Sequence, residues 1–466
     1  MPYQGEFANK SSHRDIIKNP DVSAFLGDCE YLKEPSDQEG EILAAQFQEV
    51  TNLDIAQLPE KIISVDGSFY ESTIDDRLPS TKIGYVKIGS ILIDMTEFRS
   101  LRVSDSRLVD PFRVAKLQDN HDALSFSLPS ANIRWKNKET VRDGFRAAVD
   151  FYLYGVKTRF NPSDPSTSLR STLFHLAAKR GIYGTSNAGK LLLHKCPNPN
   201  CDAVSIEIFD SPESQFCQKC GIEVYATDCL RLWEHVTDYQ SNTRAISVFM
   251  TVVEHLLPIH YIKYLSEQSL AALSSLAFFV DGPLAIFDVA AWLIDPIMAY
   301  IAEINEKLSK AGFPNILMIG LQKTGQVIEH VNLINKFIPP NRIFLINDDY
   351  RYKYILFDRE PSEKGFGSQT YYGQDFIYKT ASEKTFVFGL PYPFKSKPRQ
   401  GFTGQSAKLE TYSELSRALK LISHFETDLY KNAVVPIALA HRYTAISLAP
   451  GGRVLDILTK QTLQRK

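Results

Sequence analysis

The chain has almost no surplus of charge. Its 52 Lys and Arg stand against 54 Asp and Glu, a net of −2 over 466 residues, so charge as a whole announces no nucleic-acid binder. Glycine and proline number 24 each and follow no period, which excludes collagen-like and low-complexity chains. No apolar run is both long and unbroken. The most apolar stretch, Leu284 to Ile301, contains Asp288, Asp295 and Pro296 and reads as a buried helix, not a membrane span. The start, MPYQGEFANKSSHRD, lacks the apolar core of an export signal. A cytoplasmic protein with no membrane association is therefore expected, and six cysteines are not expected to form a disulfide framework.

What is present fits a globular protein: 44% hydrophobic and 23% charged residues. The length allows about three domains' worth of material, or one large fold with insertions. Charge is unevenly placed. Residues 1–60 carry a net −8, and residues 391–466 a net +7, so a phosphate backbone would prefer the C-terminal end.

Four cysteines form two tight pairs, Cys196-Pro-Asn-Pro-Asn-Cys201 and Cys217-Gln-Lys-Cys220-Gly221. Two such knuckles about fifteen residues apart match structural Zn²⁺, which takes four thiolates in a closed tetrahedron. Between them Ala203 to Phe209 alternates and reads as a strand of a small zinc ribbon, an insertion over residues 191–226. Cys29 and Cys229 lack partners at metal spacing and read as buried thiols.

Val-Asp-Gly occurs twice, at Val65-Asp66-Gly67 and Val280-Asp281-Gly282. Each follows a short β-rich run, so each Asp is expected to end a buried strand. Asp-Gly is also the commonest tight-turn pair. After Asp66, Ile83–Ile88 and Ile91–Met95 read as two further strands. A carboxylate-ended strand followed by a meander resembles the opening of RNase H-like nucleases, which gather carboxylates around hard divalent ions such as Mg²⁺ or Mn²⁺.

A third carboxylate should come from a helix. Thr227 to Val236 reads as one helix carrying Glu234. A second, from about Asn242 to Leu257 and ending at Pro258, carries Glu254 in an otherwise apolar setting, where a lone carboxylate is costly. On a single straight helix the two would face nearly opposite ways, so physics alone does not choose. His441 lies in the apolar segment Ala433 to Tyr443, either as a core residue or for proton transfer or a phosphate or metal contact at the scissile bond. Lys323, in Gly320-Leu-Gln-Lys-Thr-Gly325, can meet a phosphate, but no Walker A order surrounds it, which disfavours ATP hydrolysis. Asp348 and Asp349 read as turn residues.

Together Val65-Asp66-Gly67-Ser68, Phe279 to Leu284 and Pro436 to His441 resemble the NurA-domain nucleases over roughly residues 60–455. The resemblance implies an α/β fold, an RNase H-like mixed sheet flanked by helices, here with an inserted zinc ribbon. The acidic extension 1–60 precedes it, and the nuclease core falls in two parts, 61–190 and 227–466. It implies a Mn²⁺- or Mg²⁺-dependent deoxyribonuclease in which metal-activated water attacks phosphorus. Asp66 and Asp281 match the metal-binding Asp residues, Glu234, in its Arg-x-x-Glu setting, the helical Glu, and His441 the C-terminal His. It further implies a homodimer acting on DNA with a HerA-type hexameric ATPase, in DNA-end processing or anti-phage defence. The alternative from another class is a non-catalytic DNA-end or partner-binding subunit that uses the zinc ribbon as its contact module.

Overall fold

Runs rich in Val, Ile and Phe pair into one large sheet. The structure, a computed structural model, describes residues 13–30, 33–51, 53, 57–100, 121–179, 190–356, 359–361, 364–398, 401–427, 432–447 and 451–463. In chain order the strands are β1 (Gln48–Glu49), β2 (Lys61–Thr73), β3 (Lys82–Asp94), β4 (His121–Pro129), β5 (Lys190–Lys195), β6 (Val204–Phe209) and β7 (Gln215–Phe216). They continue with β8 (Glu223–Val224), β9 (Leu276–Asp281), β10 (Leu317–Gln322), β11 (Arg342–Leu345), β12 (Gly373–Lys379) and β13 (Thr385–Pro391). Nine of them make a sheet of order β1-β11-β12-β13-β10-β9-β2-β3-β4. β10, β9 and β2 run parallel to one another, and the remaining neighbours are antiparallel. A mixed sheet flanked by helices is thus what the chain builds.

The helices that matter for the site are α1 (Asp37–Ala44), α2 (Val141–Tyr154), α3 (Thr243–Gln268), α4 (Gln326–Ile334), α5 (Val435–Thr444) and α6 (Gly451–Leu463). α3 and α5 lie on opposite faces of β2 and β3, and glycines mark both contacts. Asp66 sits opposite Gly89 in the antiparallel pair, so both point to one face. A Cβ on Gly89 would stand 2.9 Å from Tyr443 and from Thr444 of α5. Gly67 faces the other way, where its Cβ would meet Glu254 and Met250 of α3 at 2.7 and 2.8 Å. These close approaches exist because the strand omits side chains there.

Several elements differ from their sequence reading. β2 does not stop at Asp66 but runs seven residues further, held by β3 along its whole length. The two expected strands Ile83–Ile88 and Ile91–Met95 are one strand, β3, because Gly89-Ser90 between them stays paired and admits α5. The helix expected to end at Pro258 continues to Gln268. Proline there removes the hydrogen bond to the Glu254 carbonyl, a cost of about 3 kcal/mol or more. Burial on nearly every side outweighs it: α3 is long and apolar enough to cross a membrane, yet 72% of its most apolar window is buried inside the fold. Thr227 to His235 is not an α-helix but two 3-10 turns, separated by Arg231 at φ 58°. Leu284 to Ile301 is split into a 3-10 turn at Asp288–Leu293 and a helix from Ile294. Cys29 is exposed and Cys229 buried.

Part of the acidic N-terminal segment joins the fold. Ser36 and Glu39 cap α1 reciprocally. Leu43 and Phe47 then pack with Val327, Ile328 and Val331 of α4, and β1 extends the sheet at β11.

The cysteine-rich segment forms two small antiparallel sheets, β5 with β6 and β7 with β8. Arg146 of α2 clamps its base: it gives Nε and Nη2 to Asp228, two residues past the segment, at 2.8 and 2.6 Å, and Nη2 also to the Glu223 carbonyl inside it at 2.8 Å.

Candidate metal centre

The site lies where parallel strands end. Asp281 is the last residue of β9 and Lys323 the first beyond β10. Register sets Val65 beside Val280 and Asp281 beside Leu321, so Asp66 and Asp281 arrive at the same level on neighbouring strands. Because β9 stops there while β2 continues, the edge of β2 opens beside Asp66. The carboxyl ends of adjacent parallel strands are where such sheets bind ligands.

Hydrogen bonds fix the orientation of the first carboxylate. Asp66, only 1% exposed, accepts the Gly67 N–H at 2.8 Å on Oδ1 and His441 Nδ1 at 2.9 Å on Oδ2. Since an ionised carboxylate only accepts, Nδ1 carries the proton. Lys323 Nζ is 2.8 Å from Asp281 Oδ2 and 3.9 Å from Asp66 Oδ2. Ligand atoms of Asp66, Asp281 and His441 all fall within 4.8 Å of one another.

A third carboxylate completes the charge cluster from the opposite face. Glu254 of α3 is 7% exposed and occupies the space that Gly67 leaves free. Burial, then the negative charges of Asp66 and Asp281, hold it well above the ordinary carboxylate range; the Gly67 N–H and Lys323 offset this in part. Burial and the neighbouring Asp66 likewise push Asp281 up to about 6. His441 is raised, chiefly by its hydrogen bond to Asp66. Crowded like charges that resist ionisation are a signature of a site short of positive charge.

The donor set fits a hard divalent ion. Carboxylate oxygens suit Mn²⁺ or Mg²⁺, and the Lys323 ammonium already stands between the two Asp as a cation would. Residues able to hold the ion are Asp66 and Asp281, with Glu254 behind them, while His441 orients the Asp66 carboxylate through Nδ1.

Glu234 is elsewhere. Arg231 holds it with Nε and Nη2 at 2.7 and 2.9 Å, and Lys195 lies 3.2 Å away. Its place in a 3-10 turn ahead of α3 gives it these two cations as partners, and it is not in the group formed by Asp66, Asp281 and His441. Sequence spacing offered both Glu residues; only Glu254 feels the two Asp charges. Asp348 and Asp349 open a short helical turn capped by Asn347, which accepts the Tyr350 N–H at 2.9 Å, and Asp348 accepts the Phe366 N–H at 3.1 Å.

Cys196, Cys201, Cys217 and Cys220 form a second cluster, again with ligand atoms within 4.8 Å. The N–H groups of Asn198, Ala203 and Ile222 turn toward the sulfurs of Cys196, Cys201 and Cys220. The Ile222 contact leads the effects that bring Cys220 down to about 7. Four thiols converging with donors aimed at sulfur fit Zn²⁺.

With this geometry in place, comparison with known proteins gives a family. The model of the NurA domain matches residues 60–446. A search of curated proteins finds no match. Among solved structures, the NurA nuclease from Sulfolobus solfataricus shares 9% identity at a TM-score of 0.31, covering 98% of this chain and 96% of its own. A second NurA structure shares 11% at 0.25, covering 98% of each chain. A NurA structure with manganese shares 12% at 0.21, covering 96% of this chain and 98% of that one.

Proposed function

This chain belongs to the NurA domain family, and from that premise we propose that it is a metal-dependent deoxyribonuclease whose centre is Asp66, Asp281, Glu254 and His441. The observation that carries the reading is the convergence of three carboxylates and a histidine, drawn from two strands and two helices, around one lysine ammonium. Buried carboxylates are expensive to hold together without a cation, so their convergence here favours metal chemistry over a packing role.

Bound here, Mn²⁺ or Mg²⁺ would supply Lewis acidity to a phosphoryl oxygen and make water nucleophilic near neutral pH. The protein's own groups do the rest. Asp66 is preset by Gly67 and His441. Lys323 leaves its carboxylates for a non-bridging phosphate oxygen, as a point charge on a flexible stem. His441, with half its side chain exposed, keeps Nδ1 on Asp66 and presents its other nitrogen to substrate, where it steadies phosphate or passes a proton to the leaving oxygen. The complete carboxylate set argues against a purely binding subunit.

The same reading extends to a homodimer working with a HerA-type hexameric ATPase on DNA ends, in repair or defence, inside the cytoplasm. Zn²⁺ in the four-cysteine cluster has a structural role in this reading, and the main sheet is an RNase H-like core.

The test is degradation of linear DNA by purified protein with Mn²⁺, wild type beside Asp66→Ala and Asp281→Ala, with and without a co-expressed ATPase of that type. Loss of cleavage in both folded variants is expected. Equal cleavage in folded variants would remove the assignment, and an inert wild type in both conditions would favour the binding subunit.

A further inference from the structure

A cavity of about 400 Å³ opens beside the metal centre. Its lining includes Pro283, two residues beyond Asp281, and Gln322, the residue before Lys323. Thr324 and Gly325, which follow Lys323, line it as well, so a substrate whose phosphate sits at Asp281 and Lys323 has this cavity alongside.

The cavity is firmly built. The loop after β9 is fastened to the segment before β12 by Ile286 N–H to the Thr370 carbonyl and Tyr372 N–H to the Leu284 carbonyl, both 2.8 Å, and by a bridge between Ala285 and Tyr371. Behind that segment the Lys397 ammonium donates to the carbonyls of Gly367, Ser368 and Tyr371. At the mouth Phe287 stands edge-on to Tyr371, with centroids 5.8 Å apart and planes at 85°, and remains 47% exposed. An exposed aromatic ring on a rigid loop is a stacking platform. The floor is polar. Asp375 accepts Gln322 Nε2 at 2.8 Å and Arg351 Nη2 at 2.7 Å, and Gln322 and Arg351 both line the cavity. The Arg351 guanidinium lies over Phe366 at 3.9 Å.

We infer that this cavity holds the base of the unpaired nucleotide next to the scissile phosphate, stacked on Phe287 with its polar edge toward Gln322 and Arg351. The inference rests on the nuclease reading for the position of the phosphate. Four features select a single nucleobase over other ligands: the size, within the range of small-ligand pockets, the aromatic rim, the mixed donor and acceptor floor, and the adjoining phosphate position. A paired base cannot enter, since it stays stacked and bonded to its partner, and extruding it costs several kcal/mol. The chain accordingly prefers single-stranded DNA or frayed ends to a closed blunt duplex.

The experiment uses full-length protein and a fluorescein-labelled 15-nucleotide single strand or blunt 15-base-pair duplex. Binding is read by anisotropy with Ca²⁺ in place of Mn²⁺, and KM is read separately with Mn²⁺. Wild type should favour the single strand. Phe287→Ala should weaken single-strand binding and raise KM by about tenfold, the effect of losing one stacked base, and Phe287→Trp should restore both. Phe151→Ala, a similarly exposed aromatic outside the site, should change neither. If wild type cleaves but Phe287→Ala binds and cleaves the single strand as wild type does, the base pocket is wrong and the nuclease stands. If wild type does not cleave but its single-strand preference disappears in Phe287→Ala and returns in Phe287→Trp, the pocket stands and the nuclease reading fails.

Discussion

Gly67 is the residue on which the site's geometry turns. Any Cβ there would stand 2.7 Å from Glu254 Oε1 and 2.8 Å from Met250 Cγ, closer than side-chain carbons come. Gly67→Ala is expected to displace Glu254 and cost at least about tenfold in kcat/KM, some 1.4 kcal/mol of transition-state stabilisation. The fold should survive, since β2 keeps its pairing with β3, and an unchanged circular dichroism spectrum would check that. Wild-type activity in Gly67→Ala would show that Glu254 has no part in the reaction. Asp66 and Asp281 were legible because each closes or follows a short β-rich run before Gly, a local pattern. Lys323 was legible for the same reason. The choice of Glu254 over Glu234 was not, because it depends on which face of β2 a distant helix packs against. One missing side chain at position 67 decides it, and no spacing rule carries that information.

Elements show the same division between local and long-range causes. The cysteine knuckles and the strand between them follow from nearby residues, so their sequence reading and their structure agree. Helix α3 does not end at Pro258, and Thr227 to His235 does not form an α-helix. In the first case burial overrides the proline, and in the second Arg231 takes a left-handed conformation that interrupts the helix. The ion pair at the base of the cysteine module is likewise invisible in sequence, since Arg146 and Asp228 lie 82 positions apart. Their side chains are each 2% exposed. Removing Asp228 leaves the buried Arg146 with Asp143, 2.8 Å away, as its remaining carboxylate, so Asp228→Ala should cost about 3 kcal/mol, the low end for a broken buried pair. Thermal unfolding should show a fall in Tm of several degrees or more. A Tm within a degree of wild type would mean that other contacts, among them Arg170 to Asp210 and Lys138 to Glu223, suffice to hold the module.

At the scale of the whole molecule, three parallel strands in the middle of a nine-stranded sheet bring residues 66, 281 and 323 to one end. α5 then supplies His441 from one face and α3 supplies Glu254 from the other. Sequence reading found the α/β class and named Asp66, Asp281 and His441, which the fold brings together, but the full order of the sheet, with β1 at one edge and β4 at the other, depends on pairings between remote segments. The central claim is that these groups hold a divalent ion. Its most direct measurement is a Mn²⁺ titration followed by electron paramagnetic resonance, on wild type, Asp66→Ala, Asp281→Ala, Glu254→Gln and Glu234→Gln in parallel. Saturable Mn²⁺ binding in wild type and Glu234→Gln, lost in both Asp variants and weakened about tenfold or more in Glu254→Gln, is the expected result. Mn²⁺ binding that survives unchanged in Asp66→Ala and Asp281→Ala would contradict it.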